Sequence, residues 1–259
     1  MRVVTLIENT TSREDLVCEH GLSLYVQTGN QKILFDTGQS GAFADNAQKL
    51  GIDLRRVDFV VLSHGHYDHG GGLRRFLEIN STAPIYLHRQ AFGDFRHGKD
   101  KYIGLDPSLL ESGRLIFVDD VLEVGQGVCL HGYQEEPVSF PVGSGGLQVL
   151  RQGRLVPDEF CHEIYMVIRE SGRRFCFSGC SHRGVANILH WSRPDVFFGG
   201  FHLSKLEDPM VLDTVCQSLV AHPGVYYTGH CTGHKQFDWL KKGLGDRLQV
   251  LTTGAEVVI

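Results

Sequence analysis

The chain opens with short stretches in which apolar and polar residues alternate, the pattern of β-strands with one buried face. Residues 2–8 form the first stretch, and residues 22–27 and 32–36 form two more on either side of the turn signal Gly29-Asn30. We expect the latter two strands to pair as a hairpin.

A largely apolar run at 57–62, in which Asp58 is the one polar residue, predicts a strand that is buried on both faces, as in a parallel sheet. Helical spacing is found before and after this run, and Gly51 is a stop signal for the first helix. Helices are predicted at 43–50, from 73 and from 89, and a further strand is predicted at 84–88.

The C-terminal part of the chain repeats this order of elements. A hairpin is predicted at 164–169 and 174–178, followed by helices that alternate with strands. The helices are predicted at 185–191, 210–221 and 237–243, and the strands at 196–198, 225–227 and 248–252. We therefore predict an α/β chain of one large domain or two small ones, with half-structures at about 1–92 and 160–259 that meet at a shared cleft.

Residues 93–160 have the least regular pattern, with Gly, Pro, Asp and Arg scattered among strand-like runs at 115–118 and 127–130. A long, loop-rich segment inside a compact enzyme often contacts the substrate. We expect the determinants of substrate choice to lie here.

Composition and charge argue against several classes of partner. The chain has 259 residues, 42% of them hydrophobic, and a net charge of −5, which gives no support for a nucleic-acid or membrane-surface partner. No apolar run approaches the roughly 18 residues of a spanning helix, and no signal peptide is visible. The seven cysteines are odd in number and widely spaced, which predicts reduced thiols and a cytoplasmic location.

Four potential metal ligands follow the apolar run at 57–62 within a single turn. They are His64, His66, Asp68 and His69, and three glycines come directly after them. Loops at the carboxyl ends of strands are where open α/β sheets bind their ligands. A polar loop at a helix start is the alternative interpretation, but it does not account for this density of ligands.

Three later predicted strands also end in polar loops that carry histidines, at residues 179–182, 199–203 and 228–234. If the strands of both halves point toward one edge, these loops converge on the His64 loop. Neutral imidazoles and a carboxylate suit zinc, with iron or manganese as alternatives, and a catalytic site keeps one coordination position open.

The motif His64-x-His66-x-Asp68-His69, placed between a strand and glycines, resembles the signature of the metallo-β-lactamase fold superfamily. The stretch Phe35-Asp36-Thr37-Gly38 resembles that superfamily's upstream Asp-x-Gly motif, and the resemblance runs from the first strand to the end of the chain. It implies a single domain over 1–259 with the architecture of a four-layer αββα sandwich, in which two mixed β-sheets are flanked by helices and the metal site lies at one edge.

Residues 19–23, 179–182, 200–203 and 228–233 are similar to one branch of this superfamily. That branch includes the 7,8-dihydropterin-6-methyl-4-(β-D-ribofuranosyl)aminobenzene 5'-phosphate synthases, enzymes of methanopterin assembly. Pterin transfer is therefore the branch-specific alternative to hydrolysis.

The superfamily resemblance also implies two divalent ions, with zinc expected and iron or manganese as alternatives. Carried over residue by residue, the first ion is held by His64, His66 and His182, and the second by Asp68, His69 and His230. Two ions about 3.5 to 4 Å apart would bridge a water, lower its pKa and bind an anionic oxygen. Asp36 would accept an N–H from a ligand histidine and fix its tautomer.

The chain departs from the superfamily pattern at Cys180, where a metal-bridging aspartate is usual. Cys180 is either a thiolate ligand, which would favour softer ions, or a side chain that fills space. In the second case the second ion would be held by fewer anionic ligands.

Further site residues are predicted from their positions. Asp68 and His202 are the expected catalytic residues. His202 is expected to donate a hydrogen bond to the substrate or to act as a proton shuttle, and packing is the alternative role. The basic group Arg89, Arg96, Lys99 and Lys101 is a candidate phosphate site, with a solvated surface as its alternative, and Arg96 and Lys101 are its expected substrate-binding residues. His20 is a further candidate for substrate contact, with packing as the alternative. We expect packing or surface roles for His88, His97, His131, His162, His190, His222 and His234, and a solvated turn and strand start at Asp158, Glu159 and Glu163.

Three functions are consistent with these residues. The first is a hydrolase that uses a metal-activated water on an ester, lactone or phosphorylated small molecule. The second is the pterin transferase, and the third is a metal or ligand sensor without turnover. No DNA-reading helix or partner-binding tail is visible, which favours an enzyme with a small-molecule substrate. Assembly into a homo-oligomer is left open.

Overall fold

Two seven-stranded β-sheets lie face to face in this protein, and helices cover the outer face of each sheet. The structure, a computed structural model, describes residues 1–29, 31–133, 136–140 and 145–259. Within these ranges, no helix is both long enough and apolar enough to cross a membrane.

The elements follow one another in an order that alternates strands with helices in each half. The strands are β1 (Arg2–Ile7), β2 (Ser23–Thr28), β3 (Gln31–Phe35), β4 (Phe59–Val61), β5 (Ile85–His88), β6 (Phe95–His97), β7 (Lys101–Tyr102), β8 (Leu115–Val118), β9 (Val121–Glu123), β10 (Val128–His131), β11 (Leu147–Arg151), β12 (Arg154–Pro157), β13 (Tyr165–Glu170), β14 (Arg173–Phe177), β15 (Val196–Phe198), β16 (Val225–Thr228), β17 (Leu248–Val250) and β18 (Glu256–Val258). The α-helices are α1 (Ala42–Lys49), α2 (Tyr67–Gly70), α3 (Leu73–Ile79), α4 (Val185–Ser192), α5 (Pro209–Ala221) and α6 (His234–Leu244). Short 3-10 helices occupy Leu54–Arg56, Arg89–Phe92, Pro107–Ser112 and Gly245–Arg247.

Each sheet is mixed, and its parallel part lies where the helical crossovers are. The first sheet has the order β18-β1-β2-β3-β4-β5-β8 and is parallel from β3 to β8. The second has the order β17-β16-β15-β14-β13-β10-β9 and is parallel from β14 to β17. Because parallel strands in one sheet end at the same edge, the loops after β14, β15 and β16 leave the second sheet together.

An apolar layer between the sheets fixes their relative position. Phe177 of β14 is fully buried in this layer and stacks on Phe198 of β15, with 5.0 Å between the ring centroids. The ring centroid of Phe35 of β3, in the opposing sheet, lies 6.0 Å from that of Phe177. On the outer faces, α1 and α3 pack on the first sheet, and α4, α5 and α6 pack on the second. The resulting order is helices, sheet, sheet, helices.

The predicted mixed α/β class with helix-flanked sheets is confirmed, as are the hairpins formed by β2 with β3 and by β13 with β14. Residues 93–160 are more regular than the sequence predicted, because the described part of this range contains seven strands, β6 to β12. Four of these form a separate sheet in the order β12-β11-β6-β7. Their apolar pattern is weak because they are short and half-exposed. The predicted helix at residue 89 is a 3-10 helix that ends at Phe92.

Replacing Phe177 by Ala should lower the free energy of unfolding by about 3 to 5 kcal/mol, since it leaves a cavity between the sheets directly before the loop of Cys180. Urea denaturation followed by circular dichroism measures this change. Val121→Ala on the edge strand β9, where the side chain is 56% exposed, is the matched control and should change it by about 0.5 kcal/mol at most. Equal effects of the two changes would contradict the described packing.

Candidate metal centre

The predicted ligands lie on loops that meet where the two sheets end. The loop after β4 carries His64 and His66, and it lies so close to the Ala91 carbonyl that a Cβ at Gly65 would overlap that oxygen. Asp68 and His69 follow in α2. The loop after β14 brings Cys180 and His182, and the loop after β16 brings His230. All of these side chains are buried.

Asp36, a fully buried carboxylate, orients two of the histidines. Its Oδ1 accepts the Ser63 backbone N–H, and its Oδ2 accepts both the Ser63 hydroxyl and the Nδ1–H of His69, each at 2.7 Å. Because the Ser63 hydroxyl donates to Asp36, it accepts from Nδ1 of His64, which is 2.9 Å away. Both rings therefore carry a proton on Nδ1 and direct Nε2 into the centre as the ligand atom.

Glu8 and Asn9 orient His230 in a similar way. Glu8 Oε1 accepts the backbone N–H of His230, and the Asn9 amide nitrogen donates to the His230 carbonyl at 3.0 Å. The Asn9 amide oxygen lies 3.0 Å from Nδ1 of His230 and accepts its proton. This leaves Nε2 of His230 directed at Asp68, 3.4 Å from Oδ2.

The candidate ligands form two neighbouring groups. Ligand atoms of His64, His66 and His182 lie within 4.8 Å of one another. The ligand atoms of Asp68, His20 and His230 form a second group, in which they also lie within 4.8 Å of one another. Nε2 of His69 lies 3.9 Å from Asp68 Oδ2. The structure thus brings the six expected ligands together, with His20 as an additional neighbour of Asp68.

Several ring nitrogens in these groups are buried and have no hydrogen-bond partner among the residues that the structure describes. They are Nε2 of His64, Nε2 of His66, both ring nitrogens of His182 and Nε2 of His230. Unpaired buried polar atoms destabilise a fold, so several of them facing one another indicate a missing partner. Imidazoles with a carboxylate are a donor set for zinc and neighbouring first-row ions, so these residues fit a divalent metal.

The protonation states of these groups also suit metal binding. Burial and the nearby rings of His69 and His66 hold the pKa of His64 well below its usual value, and burial acts on the pKa of His182 in the same direction. Burial alone would raise the pKa of Asp68, but His69 and other neighbouring imidazoles outweigh it and hold that pKa well below its usual range. Neutral imidazole and ionised carboxylate are the forms that bind metal.

His69 differs from the other ligand histidines, because two carboxylates face it. Burial lowers the pKa of His69, but Asp36 and Asp68 outweigh that effect and raise it to about 9. An ion that binds to Nε2 of His69 must therefore displace a proton at neutral pH.

Cys180 lies among the ligand histidines. Its sulfur is 3.2 Å from Nε2 of His69, and its ligand atom lies within 4.8 Å of those of His64 and His69. This position favours the ligand interpretation over a space-filling role, because the sulfur faces a ring nitrogen.

Asp158 and His162 lie beside the centre, although the sequence predicted a solvated turn and a packing or surface histidine. His162 accepts the Gly65 backbone N–H on Nδ1 and donates from Nε2 to Asp158 Oδ2, both at 3.0 Å. Asp158 Oδ2 is also 3.9 Å from Nε2 of His66. The pair therefore supports the loop of His64 and His66. No sequence motif predicts a contact between Gly65 and His162, which are 97 positions apart.

Glu163 is likewise buried, where the sequence predicted a solvated strand start. Its carboxylate accepts the backbone N–H groups of His182 and Arg183 at 2.8 and 3.1 Å and the Tyr165 hydroxyl at 2.7 Å. Glu163 fixes the loop of His182 as Glu8 fixes the loop of His230.

A cavity of about 610 Å³ opens above the metal centre. Of the predicted site residues, those that line it are His20, His66, Asp68, Lys101, Cys180, His182, His202 and His230. Arg96 is not among the described lining residues, and its guanidinium pairs with Asp94 at 2.7 and 3.0 Å. Arg89 pairs with Asp119, so the basic group does not act as one cluster. Lys205, which carried no signal in the sequence, lines the cavity and lies 3.3 Å from His97.

Two helix-flanked mixed sheets with a histidine-rich centre at their common edge define a metallo-hydrolase fold. The model of the metallo-beta-lactamase superfamily matches residues 16–207, and the chain belongs to that superfamily.

Individual relatives cover nearly the whole chain. Tm1679, whose crystal structure is described as that of a metal-dependent hydrolase of the beta-lactamase superfamily, superimposes with a TM-score of 0.87 at 30% identity, over 100% of this chain and 99% of its own. The 7,8-dihydropterin-6-methyl-4-(beta-D-ribofuranosyl)-aminobenzene-5'-phosphate synthase of Methanocaldococcus jannaschii is 29% identical over 84% of this chain and 82% of its own. The uncharacterized protein MJ0448 of the same organism is 25% identical over 90% of this chain and 91% of its own.

Asp158→Asn should weaken metal binding by about tenfold to a hundredfold. The uncharged amide of the variant orients His162 less well than the carboxylate does, and His162 in turn holds the His64 loop. Competition with a chromophoric chelator gives the dissociation constant. Glu159→Gln, one position further along on an exposed side chain, is the control and should bind as the wild type does. A wild-type dissociation constant in Asp158→Asn would show that this pair does not support the centre.

Proposed function

We propose that this protein is a metal-dependent hydrolase that acts on an ester, a lactone or a phosphorylated small molecule. The main support is the convergence of unpartnered nitrogens from His64, His66, His182 and His230 with the Asp68 carboxylate beneath an open cavity. Divalent ions at this place, zinc by preference, would supply Lewis acidity and lower the pKa of a water.

The chain itself supplies groups that handle protons and orient the substrate. Asp68 Oδ2 lies 3.3 Å from Nε2 of His20 and 3.4 Å from Nε2 of His230, and it faces the cavity. We assign Asp68 as the carboxylate that orients the attacking water and accepts its proton. His202 lines the same cavity, and its ring centroid lies 4.1 Å from that of His182. A ring N–H of His202 can donate to the substrate from this position.

A group of cationic side chains at the cavity mouth supports an anionic, phosphorylated substrate. Lys101 lies over the Tyr67 ring, with its Nζ 5.4 Å from the ring centroid, and Lys205 is held beside His97. Neither lysine forms an ion pair with a carboxylate in the described part of the chain. Two such ammonium groups can bind phosphate oxygens, with Lys101 in the role predicted from the sequence.

Pterin transfer is the second candidate, and it is supported by the 29% identity to the dihydropterin-ribofuranosylaminobenzene phosphate synthase over 84% of the chain. The two reactions differ in the acceptor, which is water for the hydrolase and an aminobenzene for the transferase. A sensor without turnover is less well supported, because it does not need an open cavity beside a carboxylate that can accept a proton.

His66→Ala should lower kcat/KM by at least about a hundredfold on whichever substrate the metal-loaded wild type turns over, because it removes a ligand of the first ion. The measurement uses a panel of phosphodiesters, lactones, thioesters and a pterin pyrophosphate. His190→Ala, an exposed histidine of α4, is the control and should retain activity. Unchanged turnover in His66→Ala would contradict the proposed mechanism. Turnover of the pterin substrate that requires an added aminobenzene would replace the hydrolase by the transferase.

Lys101→Ala combined with Lys205→Ala should raise KM for a phosphorylated substrate by about tenfold or more, because each substitution removes a charge-assisted hydrogen bond to the phosphate. Steady-state kinetics on a phosphorylated substrate and its dephosphorylated analogue measures the effect. The analogue should show no comparable rise, and Lys99→Ala, an exposed lysine outside the described cavity lining, should leave both KM values unchanged. An equal rise for both substrates would rule out phosphate recognition by this pair.

A further inference from the structure

A second cluster of metal-binding side chains lies on the wall of the same cavity. The sulfurs of Cys180 and Cys231 and a ring nitrogen of His202 lie within 4.8 Å of one another. Both cysteines are free thiols, 3% and 7% exposed, and all three residues line the cavity. The cluster is therefore buried in the protein but accessible from the place where an ion would enter.

The backbone holds these three side chains together tightly. The His202 backbone N–H donates to the Cys231 sulfur at 3.2 Å, and the Gly200 N–H donates to the Gly179 carbonyl at 2.8 Å. A Cβ at Gly200 would overlap the Cys231 sulfur, so the loop after β15 approaches the loop after β16 as closely as a glycine allows. Three consecutive strands of the second sheet thus each contribute one member.

The hydrogen bonds within the cluster do not satisfy all of its polar atoms. Nδ1 of His202 is buried and has no hydrogen-bond partner among the described residues. The Cys231 sulfur reaches the Cys180 carbonyl only at 3.5 Å, a weak contact for a thiol donor. Two sulfurs and an imidazole are a donor set for zinc and other thiophilic ions, and the open cavity leaves a fourth position free.

We propose that Cys180, Cys231 and His202 form a binding site for a thiophilic divalent ion such as Zn²⁺, next to the histidine and carboxylate centre. Both thiols bind as thiolates, and their protons pass to solvent. Cys180 also belongs to the group with His64 and His69, so its thiolate lies between the two places. Ligation through one ring nitrogen of His202 fixes the proton on the other, which remains able to donate to a substrate.

This site adds negative charge where the chain lacks the carboxylate that is usual in the superfamily. The six ligands expected from the sequence comprise five imidazoles and one carboxylate, and the usual bridging aspartate is replaced by Cys180. Two thiolates compensate for that loss beside a dipositive ion. The proposal does not depend on which reaction the protein catalyses.

Cobalt substitution tests the site, because thiolate ligands give Co²⁺ a near-ultraviolet charge-transfer band that imidazole and carboxylate ligands do not. The metal-free protein is reduced, transferred to oxygen-free buffer without reductant and titrated with Co²⁺. The wild type should show the band, Cys231→Ser should lose about half of its intensity, and Cys180→Ser with Cys231→Ser should lose all of it, since two thiolates bind. Cys216→Ser, a half-buried cysteine of α5, is the matched control and should keep full intensity.

An unchanged band in Cys231→Ser would overturn the proposal and leave Cys180 as a thiolate ligand of the histidine centre alone. The absence of a band in the wild type would overturn it as well. If Cys231→Ser fails to fold by circular dichroism, X-ray absorption of the wild type with one equivalent of zinc decides the question. Two sulfurs at about 2.3 Å from zinc support the site, and one or none overturns it. None of these readouts requires turnover, so they are separate from the test of the hydrolase.

Discussion

The bond network of the buried Asp36 carboxylate is the interaction on which the geometry of the metal centre depends. A carboxylate without solvent access is strongly destabilising unless its oxygens are satisfied, and here the Ser63 backbone, the Ser63 hydroxyl and His69 satisfy them. These bonds hold the end of β4 against the end of β3. They also fix the tautomers of His64 and His69, so the ligand atoms are oriented before an ion arrives.

The same physical solution recurs twice at the junction of the sheets. Glu8 holds the loop of His230, and Glu163 holds the loop of His182, each by accepting backbone N–H groups. These loops also contain strained backbone, since Ser181 and His230 have φ values of 57° and 50°. Left-handed conformations in such residues are unfavourable and persist where surrounding bonds impose them, as at functional sites. The three carboxylates therefore stabilise loops that are unfavourable in isolation but place their side chains around a common point.

Much of this arrangement was predictable, because it rests on local patterns. The largely apolar run before His64 predicted a buried strand, and the density of potential ligands after it predicted a metal loop. What failed was local inference about side chains whose role depends on distant partners. Asp158 and Glu163 resemble solvated residues by their polarity, yet both are buried. Asp158 accepts a hydrogen bond from His162, which in turn contacts the His64 loop, and Glu163 accepts hydrogen bonds from the loop of His182. Arg96 resembled a phosphate ligand, but its guanidinium is already paired with Asp94.

The sequence by itself determined the class of fold, the superfamily and the group of residues that are candidate metal ligands. Periodicity and motif spacing are properties of neighbours along the chain, and they survive without a structure. Only the tertiary structure decided which ring nitrogens face one another, which carboxylates orient them, and that Cys231 and His202 lie beside Cys180. Those relations join strand ends far apart in sequence, and they arise because the packing of two sheets brings the loops to one edge.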